Sequence, residues 1–539
     1  MVTPFARASI RFRLNEGSAE ASNRIKRVPI MTKPFDVLAE GLDSRKSRGD
    51  WIRTSDLLTP SQARYQAALH PVAFLADFSG GDSQCIQPHN PRQTRYADAD
   101  MADQSILIRA GRVIDPASGL DATGDVAIRD GVIHAIGPDL SSIGEIEIID
   151  ATDRIVCPGL IDPHVHLREP GGEAQETIAT GTHAALAGGF TTVCSMPNTT
   201  PPPDTVPRIE DLLERIRSTA ACRVFPVAAA TVNRDGEHLN DIASLVKAGA
   251  VAISDDGDAL WPGELMAEAL RACRSGDVAF MQHCQDPTRT IGSSMNAGAI
   301  ATRLGLTGWP DDAESGVIER DTLLALEIGA RYHAQHVSAA KSIPILAKAR
   351  AQSESITAEA TPHHLNITEA ACDGYDTSAK VNPPLRTEAD MLAIRDAVAE
   401  GVITILATDH APHTTDAKLR PFEQAPFGLV GLESALPLYA QALVHTGLIG
   451  WPRLIELLTI NPARLCNLDR LGLGALTVGA PADVAIIDPD IEWTLSTDQL
   501  AGKSANTPFL GRRLKGRSTH AIVAGRIANR GAKAPLNAY

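Results

Sequence analysis

The stretch Ile161-Asp162-Pro163-His164-Val165-His166-Leu167-Arg168-Glu169-Pro170-Gly171 decides how the rest of the chain is read. Residues two apart on a β-strand face the same way. His164 and His166 can therefore hold one metal ion from the end of a single strand. The apolar run 155–161, with Pro158 and Gly159 inside it, predicts that strand. Arg168 follows two residues later, close enough to reach an anion bound beside the metal. An HxH pair by itself also fits two polar residues at a strand end. The two readings part on whether other strands end in ligands as well.

From about 158 to 470 the chain alternates strand and helix patterns. Strands are predicted at 155–161, 190–196, 223–230, 250–254, 278–282, 331–336, 355–360 and 402–407. Helical periodicity lies between them, at 177–187, 208–219, 242–248, 263–274, 320–328, 339–352 and 388–399. Consecutive β/α units of this number predict a closed parallel (β/α)8 barrel, with its active site at the C-terminal ends of the strands. Short strands with tight glycine turns precede the barrel, at 106–108, 126–128, 132–136 and 146–149. The same texture returns at 482–488 and 519–523. The fold class expected is α/β, a TIM-like barrel with a small β-sandwich domain built from both flanks, 101–157 and 471–539.

Residues 1–100 differ from the rest. They carry 14 Lys and Arg against 11 Asp and Glu, whereas the remainder carries 36 against 54. They show no sustained period. A disordered tail, an Arg-containing targeting peptide, and upstream DNA translated from a start codon called too early all fit. Glu16 and Glu20 weigh against targeting. The peptide from Gly49 to Asp56 resembles those of mispredicted bacterial reading frames, which favours the early start.

The chain has 539 residues, 44% of them hydrophobic, and a net charge of −15. That is enough to bury a large core, and the charge argues against nucleic acid as a partner. No apolar run approaches the roughly 18 residues of a membrane span. The eight cysteines form no CxxC pair, which fits reduced thiols in a cytoplasmic protein.

The strand ends carry the chemistry. Strand one ends in His164 and His166, strand four in Asp255-Asp256-Gly257, strand five in His283, strand six in His336, and strand eight in Asp409-His410-Ala411-Pro412-His413. Any one of these alone reads as structural. Four histidines and two aspartates at one end of one barrel form an imidazole and carboxylate set that suits Zn²⁺.

With these motifs in view, the chain from Met101 onward resembles the bacterial type I dihydroorotases of the amidohydrolase superfamily. The resemblance is carried by 162–171, Gly188-Gly189-Phe190-Thr191-Thr192-Val193, Met196-Pro197-Asn198-Thr199 and Asp255-Asp256-Gly257. It continues through His283-Cys284, His336-Val337-Ser338, Lys380-Val381-Asn382-Pro383-Pro384-Leu385-Arg386, Asp409 to His413 and Ala425-Pro426-Phe427-Gly428. It leaves residues 1–100 without a counterpart.

The resemblance implies that His164, His166 and Asp409 bind a first metal ion, His283 and His336 a second, and that Asp256 bridges them. Zn²⁺ is expected, one or two ions per subunit. Related hydantoinases and allantoinases use a carboxylated lysine as the bridge, and the strand before Asp255 has no lysine. Asp409 is the expected proton carrier. His166, Arg168, Asn198, Asn382, His413 and the backbone of Phe427 and Gly428 are the expected substrate contacts. A planar guanidinium at 168 suits the carboxylate of dihydroorotate. Apart from the motifs, Asn198 reads as a turn residue and Asn382 as a helix cap. His333, His363, His364 and His410 read as structural or as supports of the ligands, and Cys284 as packing.

The activity implied is the reversible cyclisation of N-carbamoyl-L-aspartate to (S)-dihydroorotate, the third step of pyrimidine biosynthesis. Beyond its small-molecule substrate the expected partners are further copies of the chain and aspartate carbamoyltransferase. Two other readings are weighed against it. Arg168, Asn198 and the missing lysine disfavour a hydantoinase or allantoinase. An inactive scaffolding homologue is expected to lose ligand histidines, and none is lost.

Overall fold

The computed structural model describes residues 105–140 and 147–531. The expectations for residues 1–100 fall outside the described part of the chain. Among the described residues two large sheets organise the fold. One is an eight-stranded parallel barrel in which neighbours follow sequence order. Its strands are Leu160–Val165, Phe190–Ser195, Arg223–Ala229, Ala252–Ser254, Ala279–Gln282, Tyr332–Ala334, Ile356–Ala360 and Ile405–Leu406. The barrel closes where Val165 pairs in parallel with His410 and His166 N donates to His410 O at 2.9 Å.

The other sheet is a small β-sandwich domain built from both flanks, as the sequence predicts. Its central strands are Ile106–Asp115, Ile155–Pro158 and Val484–Thr494. Ile155–Pro158 runs parallel to the first of these and antiparallel to the last, with Val484 opposite Pro158. Ile108, Val126, Ile133, Val156, Val484 and Ile522 pack into its core.

Here the structure corrects the sequence reading of strand one. The run 155–161 is not one strand. Its first half belongs to the sandwich, and the barrel strand starts at Leu160. Gly159 marks the passage. A Cβ there would lie 2.0 Å from Thr191 Oγ1, so only glycine lets the chain cross against the second barrel strand. As a result His164 sits inside the strand Leu160–Val165 and His166 just beyond it.

The barrel is filled rather than hollow. Ile161, Cys194, Met196, Val227, Ala252, Ala279, Met281 and Ile405 form its interior, and Ala463, Leu465 and Leu473 close its lower end. A larger apolar layer lies between the strands and the surrounding helices. The first of these, Ile178–Gly188, begins with a reciprocal capping box between Thr177 and Thr180 and stops at Gly189 in the left-handed region. The seven cysteines among the described residues are free and buried. None of the described helices is long and apolar enough to cross a membrane.

Candidate metal centre

Closure of the barrel sets the first ligands. The Asp162 carboxylate accepts from His164 N at 3.0 Å and from Thr408 Oγ1 at 2.6 Å, with Thr408 N at 3.2 Å from both oxygens. Strand one is thereby stitched to the segment that carries Asp409. Burial pushes the Asp162 carboxyl up to about 7 against these hydrogen bonds. Arg168, His336 and Asp409 are non-glycine residues with φ of 62°, 32° and 47°. Strain of this kind is held only where the surrounding structure over-determines it, and it gathers at functional sites.

Three of the imidazoles, those of His164, His166 and His283, have one nitrogen anchored and the other left toward a common point, where His336 Nε2 joins them. His164 Nδ1 lies 2.6 Å from Glu359 Oε1, which leaves Nε2 facing Asp256 Oδ1 at 3.4 Å and Asp409 Oδ1 at 3.5 Å. His166 Nδ1 lies 2.8 Å from Asn198 Oδ1, with Nε2 3.0 Å from Asp409 Oδ1 and 3.4 Å from Asp256 Oδ2. His283 Nε2 lies 2.9 Å from Gln285 Oε1. Its Nδ1 is 2.9 Å from His336 Nε2, and the two are 3.7 and 3.8 Å from Asp256 Oδ1.

This donor set fits a pair of divalent cations. The ligand atoms of His164, His166 and Asp256 lie within 4.8 Å of one another, and so do those of Asp256, His283 and His336. Asp256 is common to both groups. His164 Nε2 and Asp256 Oδ1 are buried with no hydrogen-bond partner, which a bound cation would relieve. Burial opposes charge on both, yet each favours it in the other: His164 is raised well above its usual range and Asp256 is held well below. Asp409 is likewise held below the carboxylate range, because its bond to His166 and the other imidazoles outweigh burial. Asp255 faces away and accepts from Ala230 N at 2.8 Å and Thr231 N at 3.2 Å.

The expected substrate set borders the centre, with Asn198 on His166 and Asn382 on the Gln285 that anchors His283. Arg168 Nε donates to Pro412 O at 3.2 Å, and Nη2 is 3.4 Å from His413 Nε2. Burial lowers the guanidinium to about 10, so it stays charged at neutral pH. Burial and then Arg168 push His413 down to about 3, so this ring is neutral. Its Nε2 lies 2.7 Å from Phe427 O, which makes that nitrogen the donor. Gly428 has φ 126°, and a Cβ there would lie 2.7 Å from Ala411 Cβ. Asn382 Nδ2 donates to Gln285 Oε1 at 3.2 Å, and its Oδ1 is buried without a partner.

Sequence reasoning missed Glu359, the most heavily used supporting group. It takes His164 on one oxygen and His333 Nε2 on the other at 2.9 Å, and it accepts from His336 N at 3.2 Å. A lone acid within the apolar strand Ile356–Ala360 was the available signal. Gln285 was missed too, with nothing in its loop to mark it. His364 is tied to Thr361 Oγ1 at 2.7 Å and Pro383 O at 3.1 Å. His410 Nδ1 accepts from Gly431 N at 3.2 Å. Both ring nitrogens of His363 are buried without partners.

Comparison with known proteins points the same way. A family profile described as Dihydro-orotase-like matches residues 153–342. A protein of Solibacter usitatus named dihydroorotase is 45% identical over 420 residues, covering 78% of this chain and 97% of that protein. Another dihydroorotase, from Pelotomaculum thermopropionicum, is 44% identical over 422 residues, 78% of this chain and 98% of its own. Among solved structures, the L-hydantoinase (dihydropyrimidinase) of Arthrobacter aurescens superposes with a TM-score of 0.72 at 24% identity, over 80% of this chain and 97% of that one. At that identity it attests the fold.

Proposed function

The chain belongs to the dihydroorotase family, and from that premise we propose how its residues carry out the reaction. The reaction is the reversible closure of N-carbamoyl-L-aspartate to (S)-dihydroorotate and water, the third step of de novo pyrimidine synthesis. The enzyme is a metal-dependent cyclic amidohydrolase. The observation that carries the residue assignment is the convergence of four imidazoles and two carboxylates opposite a charged arginine.

His164, His166 and Asp409 would hold one ion and His283 and His336 the other, with Asp256 available to both. Zn²⁺, one or two per subunit, suits this donor set. A bound Zn²⁺ lowers the pKa of a water to about 7 and polarises a carbonyl. The remaining steps belong to the chain. Arg168 grips the carboxylate of dihydroorotate with two parallel hydrogen bonds, oriented by Pro412 O. Asn198 and neutral His413 support that grip, with His166 lining the same edge. The free Oδ1 of Asn382 and the Phe427–Gly428 backbone meet the ring amides.

Asp409, ionised at neutral pH, takes the proton of the attacking water and hands it to the departing ring nitrogen. In the biosynthetic direction it moves the proton the other way. Closure turns a carboxylate into a neutral imide and so consumes a proton. Acid therefore favours the ring and alkali the open chain.

The barrel segment 160–470 is the catalytic unit, and the described residues of 105–158 and 471–531 form the β-domain beside it. The protein works in the cytoplasm as a homo-oligomer, in association with aspartate carbamoyltransferase. Metal analysis and a dihydroorotate hydrolysis assay on the purified protein test the reading. A metal-loaded protein that leaves dihydroorotate intact while opening uncharged hydantoins would overturn it.

A further inference from the structure

The loop after strand three and the turn after strand four hold each other from both sides. From the turn, the Asp255 carboxylate accepts from Ala230 N at 2.8 Å, Thr231 N at 3.2 Å and Thr231 Oγ1 at 2.5 Å. From the loop, Arg234 Nη2 donates to Asp256 O and to Asp258 Oδ2, each at 2.7 Å, with Asp255 O at 3.3 Å. The loop has an unusual shape for this purpose. Asn233 and Arg234 are consecutive left-handed residues, with φ of 51° and 60°. Such a backbone is disfavoured at any residue with a Cβ and is kept only where its surroundings hold it. Asn233 N is pinned to Asp204 Oδ2 at 2.8 Å, and Gly236 N to Thr231 Oγ1 at 3.0 Å. The turn makes room in return. Gly257 has φ 88°, and a Cβ there would lie 3.2 Å from Arg234 Nη2.

The two neighbouring aspartates therefore do different work. Asp255 anchors the loop, and the loop returns a guanidinium to the peptide of Asp256. An aspartate has only two side-chain torsions, so its carboxylate goes where its backbone is held. Asp256 is the one residue common to both ligand groups, so an error in its backbone is felt at both ions. Among the described residues the group of His283 and His336 contains no other carboxylate, whereas His164 and His166 also have Asp409 Oδ1 at 3.5 and 3.0 Å.

We propose that Arg234 is a positioning residue for Asp256: its guanidinium holds the Asp256 peptide where the carboxylate reaches both ligand groups. This rests on the reading of Asp256 as the shared ligand. An arginine that only braced the fold would lower thermal stability without favouring one ion over the other.

The test uses full-length Arg234→Met, Arg234→Lys, Asp258→Asn and Asp256→Ala beside the parent. Zn²⁺ affinities are read by competition with a chromogenic chelator, and the metal-free proteins are followed by thermal melting. Arg234→Met should weaken the ion at His283 and His336 roughly 10- to 100-fold, the usual effect of removing a supporting partner of a ligand. The other ion should change by much less. Arg234→Lys should recover part of the loss, since an ammonium can still reach one carbonyl. Asp258→Asn should leave both affinities at the parent value, because Asp258 is 66% exposed and its ion pair is worth little. If Arg234→Met does not fold, Arg234→Gln, which keeps one amide donor, is read by the same criterion.

Parent-like affinities in Arg234→Met, with the second ion lost in Asp256→Ala, overturn the proposal and leave the ligand reading standing. So does an equal loss at both ions together with a lowered melting temperature. If Asp256→Ala keeps both ions, the ligand reading fails, and the role of Arg234 falls with it.

Discussion

Replacing Arg168 by lysine separates charge from geometry at the expected carboxylate site. In the parent, Nε donates to Pro412 O at 3.2 Å, which fixes the plane of the guanidinium and leaves its outer edge for an anion. A carboxylate on that edge takes two parallel hydrogen bonds. Lysine keeps the charge, loses the plane, and cannot serve Pro412 O and a two-toothed grip together. Losing one charge-assisted hydrogen bond costs about 1.5–3 kcal/mol, which corresponds to a rise in KM of roughly 10- to 100-fold. The carboxylate does not react, so the loss falls about equally on ground and transition states and kcat should change little. Metal content should stay at the parent level, because no ligand to either ion is touched. Initial rates of dihydroorotate hydrolysis over a range of substrate concentrations, with metal analysis on the same preparation, measure this. An unchanged KM in folded, metal-loaded Arg168→Lys would show that the carboxylate is bound elsewhere.

Asp409→Asn removes the proton carrier and should lower kcat by at least roughly 100-fold; a near-normal kcat in metal-loaded variant protein would exclude Asp409 as the base. Activity should not depend on bicarbonate, since Asp256 already supplies a carboxylate between the ligand groups. Assays in degassed buffer with and without added bicarbonate check this, and a requirement for it would contradict the assignment. Glu359→Gln keeps the shape of the support under His164 and loses its charge, which should weaken metal binding by roughly 10-fold or more. Burial alone would raise the Glu359 carboxyl, but His164 and then His333 hold it at about 2. A depressed carboxylate stabilises the fold above its ordinary pKa of about 4.3 and loses that contribution as pH falls toward its folded value. The difference in melting temperature between metal-free parent and Glu359→Gln should therefore be flat from neutral pH down to about 5 and shrink only in stronger acid. A difference that vanishes already at neutral pH would mean that Glu359 is not ionised there.

The barrel was legible because its signals are local. An apolar run with a helix pattern behind it, repeated along the chain, needs no knowledge of distant residues, and the helices 242–248 and 388–399 fall where periodicity places them. The residue types at the strand ends were legible for the same reason. The start of strand one was not. The run 155–161 is uniformly apolar, and only its partners divide it: Val484–Thr494 on one side of Gly159, Phe190–Ser195 on the other.

The support of the centre was not legible either. Glu359 meets His164 across 195 positions, and Asp162 meets Thr408 across 246. The family motif singled out Asp256 over Asp255, but not what turns Asp255 away, the bonds it accepts from Ala230 N and Thr231 in the loop after strand three. Alternation and spacing are properties of neighbours along the chain. Which carboxylate faces which imidazole is decided when the eighth strand closes on the first, because that step alone brings the strand ends around one point.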